Sequence, residues 1–312
     1  MKNTLRRAFT ALVGTIGSSI LIFVLLRVLP GDLATTRLGV DATPQALAAL
    51  RSEYGFDQSA VRQYLNWLVD LMRGDLGTSL VTGDDVLSDV TSRLDVTVPL
   101  ITISTMLAVI FALFVGRRAA VRRGRVSTTL FTALSQLGLA VPTFVIGVGL
   151  ISVFAVQLNL LPAGGFPVSG WRQFDRAVQS MLLPILTLTF AQVAMLVRFS
   201  QARALDFLAS DAFRTARAGG RTKDRAMTTA ARLILSPILS VAALQISTLL
   251  VGAVVVESVF ALPGLGTMFV RDIANRDFIK VQSVSFVFVV ATFIVRLTIE
   301  FVNDRLDPRR LP

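Results

Sequence analysis

Residues 213–225 read FRTARAGGRTKDR. Arg214, Arg217, Arg221 and Arg225 recur at offsets of three, four and four, which on an unbroken helix would set four guanidinium groups along one face. A guanidinium fork binds carboxylates and phosphates. The residues between them, Thr215, Ala216, Ala218, Gly219 and Gly220, are small enough to let another surface approach the backbone. A second set of polar groups is scattered through apolar runs: Ser135, Gln136, Gln192, Gln245 and Ser247. Taken singly, each reads as a hydrogen bond between helices. Together they are the candidates for lining a polar path.

Catalytic chemistry has little to work with. The chain has no histidine and no cysteine, so thiolate chemistry, disulfides, the usual zinc ligands and a side chain titrating near neutrality are all absent. No G-x-x-x-x-G-K-[ST] phosphate loop occurs; Gly219-Gly220-Arg221-Thr222-Lys223 has its composition without its spacing. No G-x-S-x-G elbow is present. The expectation is a non-catalytic chain that binds no metal or cofactor.

The elements that position these residues belong to a membrane. Of 312 residues, 53% are apolar and 16% charged, against about a quarter charged in soluble chains; mean hydropathy is +0.67. A helix needs about 20 apolar residues to cross roughly 30 Å of hydrocarbon. That length predicts six spans: 8–26, 96–115, 129–156, 181–197, 233–256 and 281–302. The third is long enough to tilt, and Pro142 gives it a place to bend. Pro184 and Pro237 fall near the starts of their apolar windows, where a missing N–H costs little. The first span has a basic lead but no Ala-x-Ala-like site before Leu29-Pro30-Gly31-Asp32, so it reads as an uncleaved anchor.

Charge sets the orientation. Lys2, Arg6 and Arg7 share one side with Arg117, Arg118, Arg122, Arg123 and Arg125. Eight basic residues in 198–232 and Arg305, Arg309 and Arg310 lie there too, 19 of the 31 lysines and arginines. Cytoplasmic connections carry this excess, which places both termini in the cytoplasm of a bacterial cell. Residues 30–95 then lie outside, with ten acidic against five basic residues. The net charge of +11 is thus a topology signal, and nucleic-acid binding is not expected, since the basic residues are segregated by side of the membrane.

The outer segment is too long for a simple connection. Thr43-Pro44 opens a helix ending near Gly55. Residues 58–73 set Val61, Tyr64, Leu65, Leu68, Leu71 and Met72 on one stripe with Trp67 just off it, and Gly74 as the stop. It reads either as a small cap packing on itself or as an interfacial helix at headgroup depth. Segment 198–232 is expected to be helical on both sides of Gly219-Gly220, and Pro263-Gly264-Leu265-Gly266 to mark a tight turn. Glu257 sits at the outer end of the fifth span. Arg296 and Glu300 form an i,i+4 pair near the inner end of the sixth, read as mutual neutralisation. The scarcity of carboxylates inside the spans weakens a gradient-driven carrier or channel. A membrane scaffold without transport is the third reading.

Several stretches together resemble the membrane subunits of oligopeptide/dipeptide/nickel ABC importers. They are Leu25-Leu26-Arg27-Val28-Leu29-Pro30-Gly31-Asp32, Arg73-Gly74-Asp75-Leu76-Gly77-Thr78-Ser79-Leu80, Arg214-Thr215-Ala216-Arg217-Ala218-Gly219-Gly220, the run from Gly252 to Phe260 with Pro263-Gly264-Leu265-Gly266, and Leu306-Asp307-Pro308-Arg309. One span followed by a large outer loop is similar to the first permease of the operon pair. The resemblance implies an all-α polytopic protein of the type I ABC importer permease fold. Its parts would be an N-terminal tail and first helix (1–29), an external helical region (30–95) and a five-helix core (96–312) with a coupling loop at about 198–236. It implies a second homologous permease, two cytoplasmic ATPase subunits that bind the ATP and magnesium, and an external solute-binding protein. The cargo would be a peptide or, alternatively, a nickel or other metal chelate or a glutathione-like solute. In that family the segment matching Asp211, Arg214, Thr215, Ala216, Arg217, Ala218, Gly219 and Gly220 docks in a groove of the ATPase.

Overall fold

The computed structural model describes residues 2–28, 43–53, 55–122, 141–229 and 231–306. Among them there is no β-strand, only an isolated antiparallel bridge between Thr78 and Asp85. Four helices are long and apolar enough to cross a bilayer, and a fifth if the bent pair 234–246 and 248–259, at 58° to one another, is one span. The expected third span is described only in part, as Thr143–Gln157; its earlier residues lie outside the described ones.

The helices run well past the apolar windows. α1 spans Lys2–Val28, α2 Pro44–Glu53, α3 Ala60–Met72 and α4 Val86–Val121. α5, Thr143–Leu150, begins directly after Pro142 and continues as a π-helix over Ile151–Gln157. α6 covers Phe174–Ala209, α7 Asp211–Ala218, α8 Lys223–Thr229, α9 Ala231–Val259, α10 Leu265–Ala274 and α11 Phe278–Leu306. At 36 residues each, α4 and α6 are about 54 Å long. Pro184 therefore lies inside α6, and Pro99 and Pro237 inside α4 and α9. The expectation that Pro184 marks a helix start fails because the helix begins in polar sequence that hydropathy ignores.

By internal contacts the chain forms two units. The first contains residues 1–96 and 264–294. Here α3 packs through aromatics: Tyr64 lies edge-on to Phe23 at 5.4 Å, and Trp67 edge-on to Phe286 at 5.7 Å. The Tyr64 hydroxyl and the buried Ser19 hydroxyl are 2.8 Å apart. The inward face of α3 is thus centred on Tyr64 and Trp67, whereas Val61, Leu65 and Met72 are exposed. The helix stops as expected at Gly74, which takes φ +82° while Asp75 N–H donates to the Asp70 carbonyl at 2.9 Å.

A largely buried polar cluster joins loop 75–85 and the first turn of α4 to α11 and the residue before it. Ser79 Oγ donates to Asp277 Oδ2, Lys280 Nζ pairs with Asp89 Oδ2, and Ser283 Oγ donates to the Leu76 carbonyl at 2.7 Å. Asp272 is 4% exposed, and its Oδ2 has no hydrogen-bond partner. Burial raises its pKa; Lys280 and Arg271 oppose this, whereas Asp277 and Asp89 add to it. A carboxyl raised on folding contributes stability that is full below the ordinary carboxylate range of about 4 and is lost as pH climbs through its folded value. Thermal melts of Asp272→Asn should therefore fall less with rising pH than those of the unaltered chain. Parallel pH profiles for the two would contradict this.

The second unit contains residues 97–263 and 295–312. Ala108, Ala112, Gly116 and Ala120 of α4 recur every four residues, and all are buried. This thin stripe lets α6 come close: a Cβ on Gly116 would stand 2.4 Å from Ser200 Oγ and 2.8 Å from the Gln201 nitrogen. Ser104 Oγ donates to the Ile185 carbonyl at 3.2 Å, and Thr189 Oγ1 returns a bond to the Ser104 carbonyl at 3.3 Å. Gly116→Val should destabilise the protein by about 2–3 kcal/mol through overpacking, read as a lower Tm in detergent. An unchanged Tm would show that the two helices separate freely.

After α9 the backbone turns sharply. Ala261 takes φ +49°, and Leu262 N–H donates to the Glu257 carbonyl at 2.8 Å. Gly165 N–H donates to the Phe260 carbonyl at 2.8 Å, and Gly164 lies so near that a Cβ there would sit 2.4 Å from the same oxygen. Gly264 then stands before α10 as its N-cap residue. The expected turn is present, one step earlier than Pro263-Gly264.

Candidate coupling loop and path-lining residues

The cationic stretch forms a short, stiff, separately capped helix. α6 ends at Ser210, whose backbone turns to an extended ψ of 157°. Its Oγ accepts the Phe213 N–H at 3.4 Å and donates to the Phe207 carbonyl at 2.7 Å. Phe207 and Phe213 meet edge to face at 5.9 Å across that corner, fixing the angle at which α7 leaves α6. At the other end Gly220 takes φ +78°. Gly220 N–H donates to the Arg217 carbonyl at 3.0 Å and Arg221 N–H to the Ala216 carbonyl at 3.2 Å. This bond pair closes a helix on a left-handed residue, the conformation glycine adopts without strain.

No residue of α7 is buried. Phe213 and Ala216 are half-buried on its inner side; Asp211, Arg214, Thr215, Arg217 and Ala218, with Gly219 and Gly220 beyond, are exposed. Asp211 at the first turn pairs with Arg214 at 3.4 Å, and Arg217 Nη1 donates to the Arg221 carbonyl at 2.8 Å. The acid thus lies at the positive end of the helix and a cation at its negative end. The four-arginine ridge does not form. Arg214 and Arg217 share α7, Arg221 falls in the turn, and Arg225 belongs to α8. The glycines that end α7 break the periodicity from which the ridge was read.

The path-lining candidates are partly placed. Ser135 and Gln136 lie outside the described residues, and Ser247 is described only as helical backbone at the bend of α9. Gln192 is buried on α6, its Nε2 donating to the Leu188 carbonyl at 3.2 Å. Gln245 is half-buried on α9, which packs against α6. The side-chain carbonyl oxygen of each is buried without a partner. Two unsatisfied acceptors on adjacent helices are what a polar path would use. Among the described residues no cluster of three or more acidic side chains is arranged to hold a metal ion.

The sequence reading placed Glu257 but not its partner. Glu257, near the end of α9, is fully buried and accepts a 2.6 Å hydrogen bond from Thr97 Oγ1 of α4. The residues are 160 positions apart, and no local pattern announces them. The Arg296–Glu300 pair forms as expected, at 3.1 Å and partly exposed.

Comparison with known proteins accounts for the whole length. The family described as binding-protein-dependent transport system inner membrane component matches residues 98–312. The N-terminal region of such membrane components matches residues 1–101. The chain is 33% identical over 291 residues to the glutathione transport system permease protein GsiC of Escherichia coli O6:H1, covering 93% of this chain and 92% of that one. To GsiC of Escherichia coli K12 it is 32% identical over the same share of each. A probable peptide ABC transporter permease protein, y4tP of Sinorhizobium fredii, is 32% identical across 98% of this chain and 97% of its own.

Proposed function

The chain belongs to the family of binding-protein-dependent transport system inner membrane components, and on that premise we propose that it is one half of the path of an ATP-driven peptide importer. It hydrolyses nothing itself. A homologous permease completes the path, and two cytoplasmic ATPase subunits bind ATP and magnesium and supply the work. A solute-binding protein on the other side of the membrane delivers cargo. The segregation of lysine and arginine supports an orientation with both termini in the cytoplasm.

The observation that carries this reading is α7. It is an eight-residue helix, capped at both ends, unburied, and held at a fixed angle to the end of a 36-residue helix. Such a lever transmits displacement without bending. Closure of the ATPase pair on ATP moves α7 and with it α6, whose inner length carries Gln192; the path then changes the side on which it is open. Arg214 and Arg217 pair with acids of the ATPase groove, and Ala216, Ala218 and Gly219 allow close approach.

The relatives named for glutathione and for peptides favour small peptide cargo, glutathione-like solutes being the second reading. Uptake by the complete assembly in vesicles, driven by ATP, decides between them. Labelled di- to pentapeptides should accumulate, and glutathione should compete weakly. Accumulation of glutathione with exclusion of ordinary peptides would transfer the assignment to the second reading. Accumulation of neither would remove both.

A further inference from the structure

The last turns of α4, with Asp224 and Met227 of α8 and Ile234 and Leu235 of α9, line a groove of about 450 Å³. Its floor is apolar, with Ile110, Phe114, Ile234 and Leu235, and its rim carries Arg117, Arg118 and Arg122. We propose that this groove binds one anionic phospholipid of the cytoplasmic leaflet, its phosphate between Arg118 and Arg122 and an acyl chain along α4. The leaflet assignment rests on the orientation proposed above; the binding itself does not.

Charge leaves room for an anion. Asp224, also on the rim, is engaged by Arg117, whose Nη2 donates to the Asp224 carbonyl at 3.1 Å and lies 3.8 Å from its carboxylate. Arg118 and Arg122 are exposed, one turn apart on α4 and both on the rim, a spacing from which two guanidinium groups reach one phosphate. The floor then selects the kind of anion. Ile110 and Phe114 are exposed, as are Met106, Leu107 and Phe111 in the turns before them, so the apolar surface continues out of the groove along the helix. An acidic protein segment would meet only the cations, whereas a phospholipid meets them and lays its acyl chain on the same apolar surface.

Depth agrees with the assignment. The Arg118 guanidinium lies over the Phe114 ring at 5.2 Å. The same i,i+4 pairing closes α6, with Arg203 over Phe199 at 5.2 Å, and α11, with Arg305 over Phe301 at 4.7 Å. In each the ring can stay at the edge of the hydrocarbon while the cation reaches the headgroups. These three pairs fall on one side of the membrane in the proposed topology and a fourth, Arg27 over Phe23 at 4.8 Å, on the other; the pairing marks headgroup depth, and the rim of the groove is at that level.

Native mass spectrometry of the purified assembly, titrated with phosphatidylglycerol or phosphatidylcholine, tests this without any uptake assay. Phosphatidylglycerol should bind in preference, and Arg118→Gln with Arg122→Gln should weaken it about ten- to thirtyfold. Arg118→Lys with Arg122→Lys keeps the charge and should stay within a few-fold, which guards against misfolding of the glutamine variant. Equal phosphatidylglycerol binding by the glutamine variant and the unaltered assembly would overturn the proposal. So would displacement by millimolar inorganic phosphate. A photo-crosslinker at position 118 that captures an ATPase subunit in place of lipid would also overturn it, making the rim a protein contact.

Discussion

Glutamate at both Ala216 and Arg217 is expected to abolish ATP-driven uptake and to release the ATPase subunits, while the chain still inserts in the membrane. Ala216 is half-buried and Arg217 exposed on a helix with no buried residue, so neither change disturbs the core of the second unit. In the docked state the effect is different. Arg217→Glu reverses a charge, and Ala216→Glu puts a bulky carboxylate where close approach is needed. Charges of the wrong sign in such a contact cost several kcal/mol, and a charge left without its partner about 3–5 kcal/mol. The ATPase should therefore bind more than a hundredfold more weakly, measured by co-purification. If co-purification and uptake both survive, α7 is not the docking element.

The second large effect lies in the other unit. Lys280 is 2% exposed and paired with Asp89. Lys280→Met leaves Asp89 without that partner beside Asp272 and Asp277, which are buried. Removing one member of a fully buried pair costs about 3–5 kcal/mol; the stranded Asp89 keeps 30% of its side chain exposed, which brings the cost here to about 2–3 kcal/mol. The expected result is a Tm lower by roughly 5 °C. Asp89→Asn added to Lys280→Met should recover much of the loss, because the stranded charge is gone. A single variant melting within a degree or two of the unaltered chain would show that water already reaches Lys280.

These two sites show how differently the sequence reveals its parts. Four of the six expected spans, and a fifth if the bent pair of α9 is one, were legible because twenty apolar residues have few other uses, but their ends were not. α4 begins at Val86 and α6 at Phe174, where polar residues continue a helix beyond the bilayer without any hydropathy signal. The break at Gly219-Gly220 was legible from glycine chemistry, and that same break undoes the arginine ridge, which assumed an uninterrupted period. On α3 the period gave the stripe, yet aromatic partners on α1 and α11 turn the inward face toward Trp67. The pairs Lys280–Asp89 and Thr97–Glu257 join positions 191 and 160 apart, and only the fold brings them together. The stripe Ala108, Ala112, Gly116 and Ala120 could have been read from its spacing; a helix already apolar on every side hides it among larger residues.

The central claim is that force reaches this chain from outside it, through α7. Vesicles containing this chain and its homologous permease alone, loaded with a solute gradient, test it most directly against vesicles holding the ATPase subunits and the binding protein as well. The account predicts no solute flux from the first preparation and ATP-dependent accumulation from the second. Gradient-driven flux from the permeases alone, at a rate comparable to the full assembly, would contradict it.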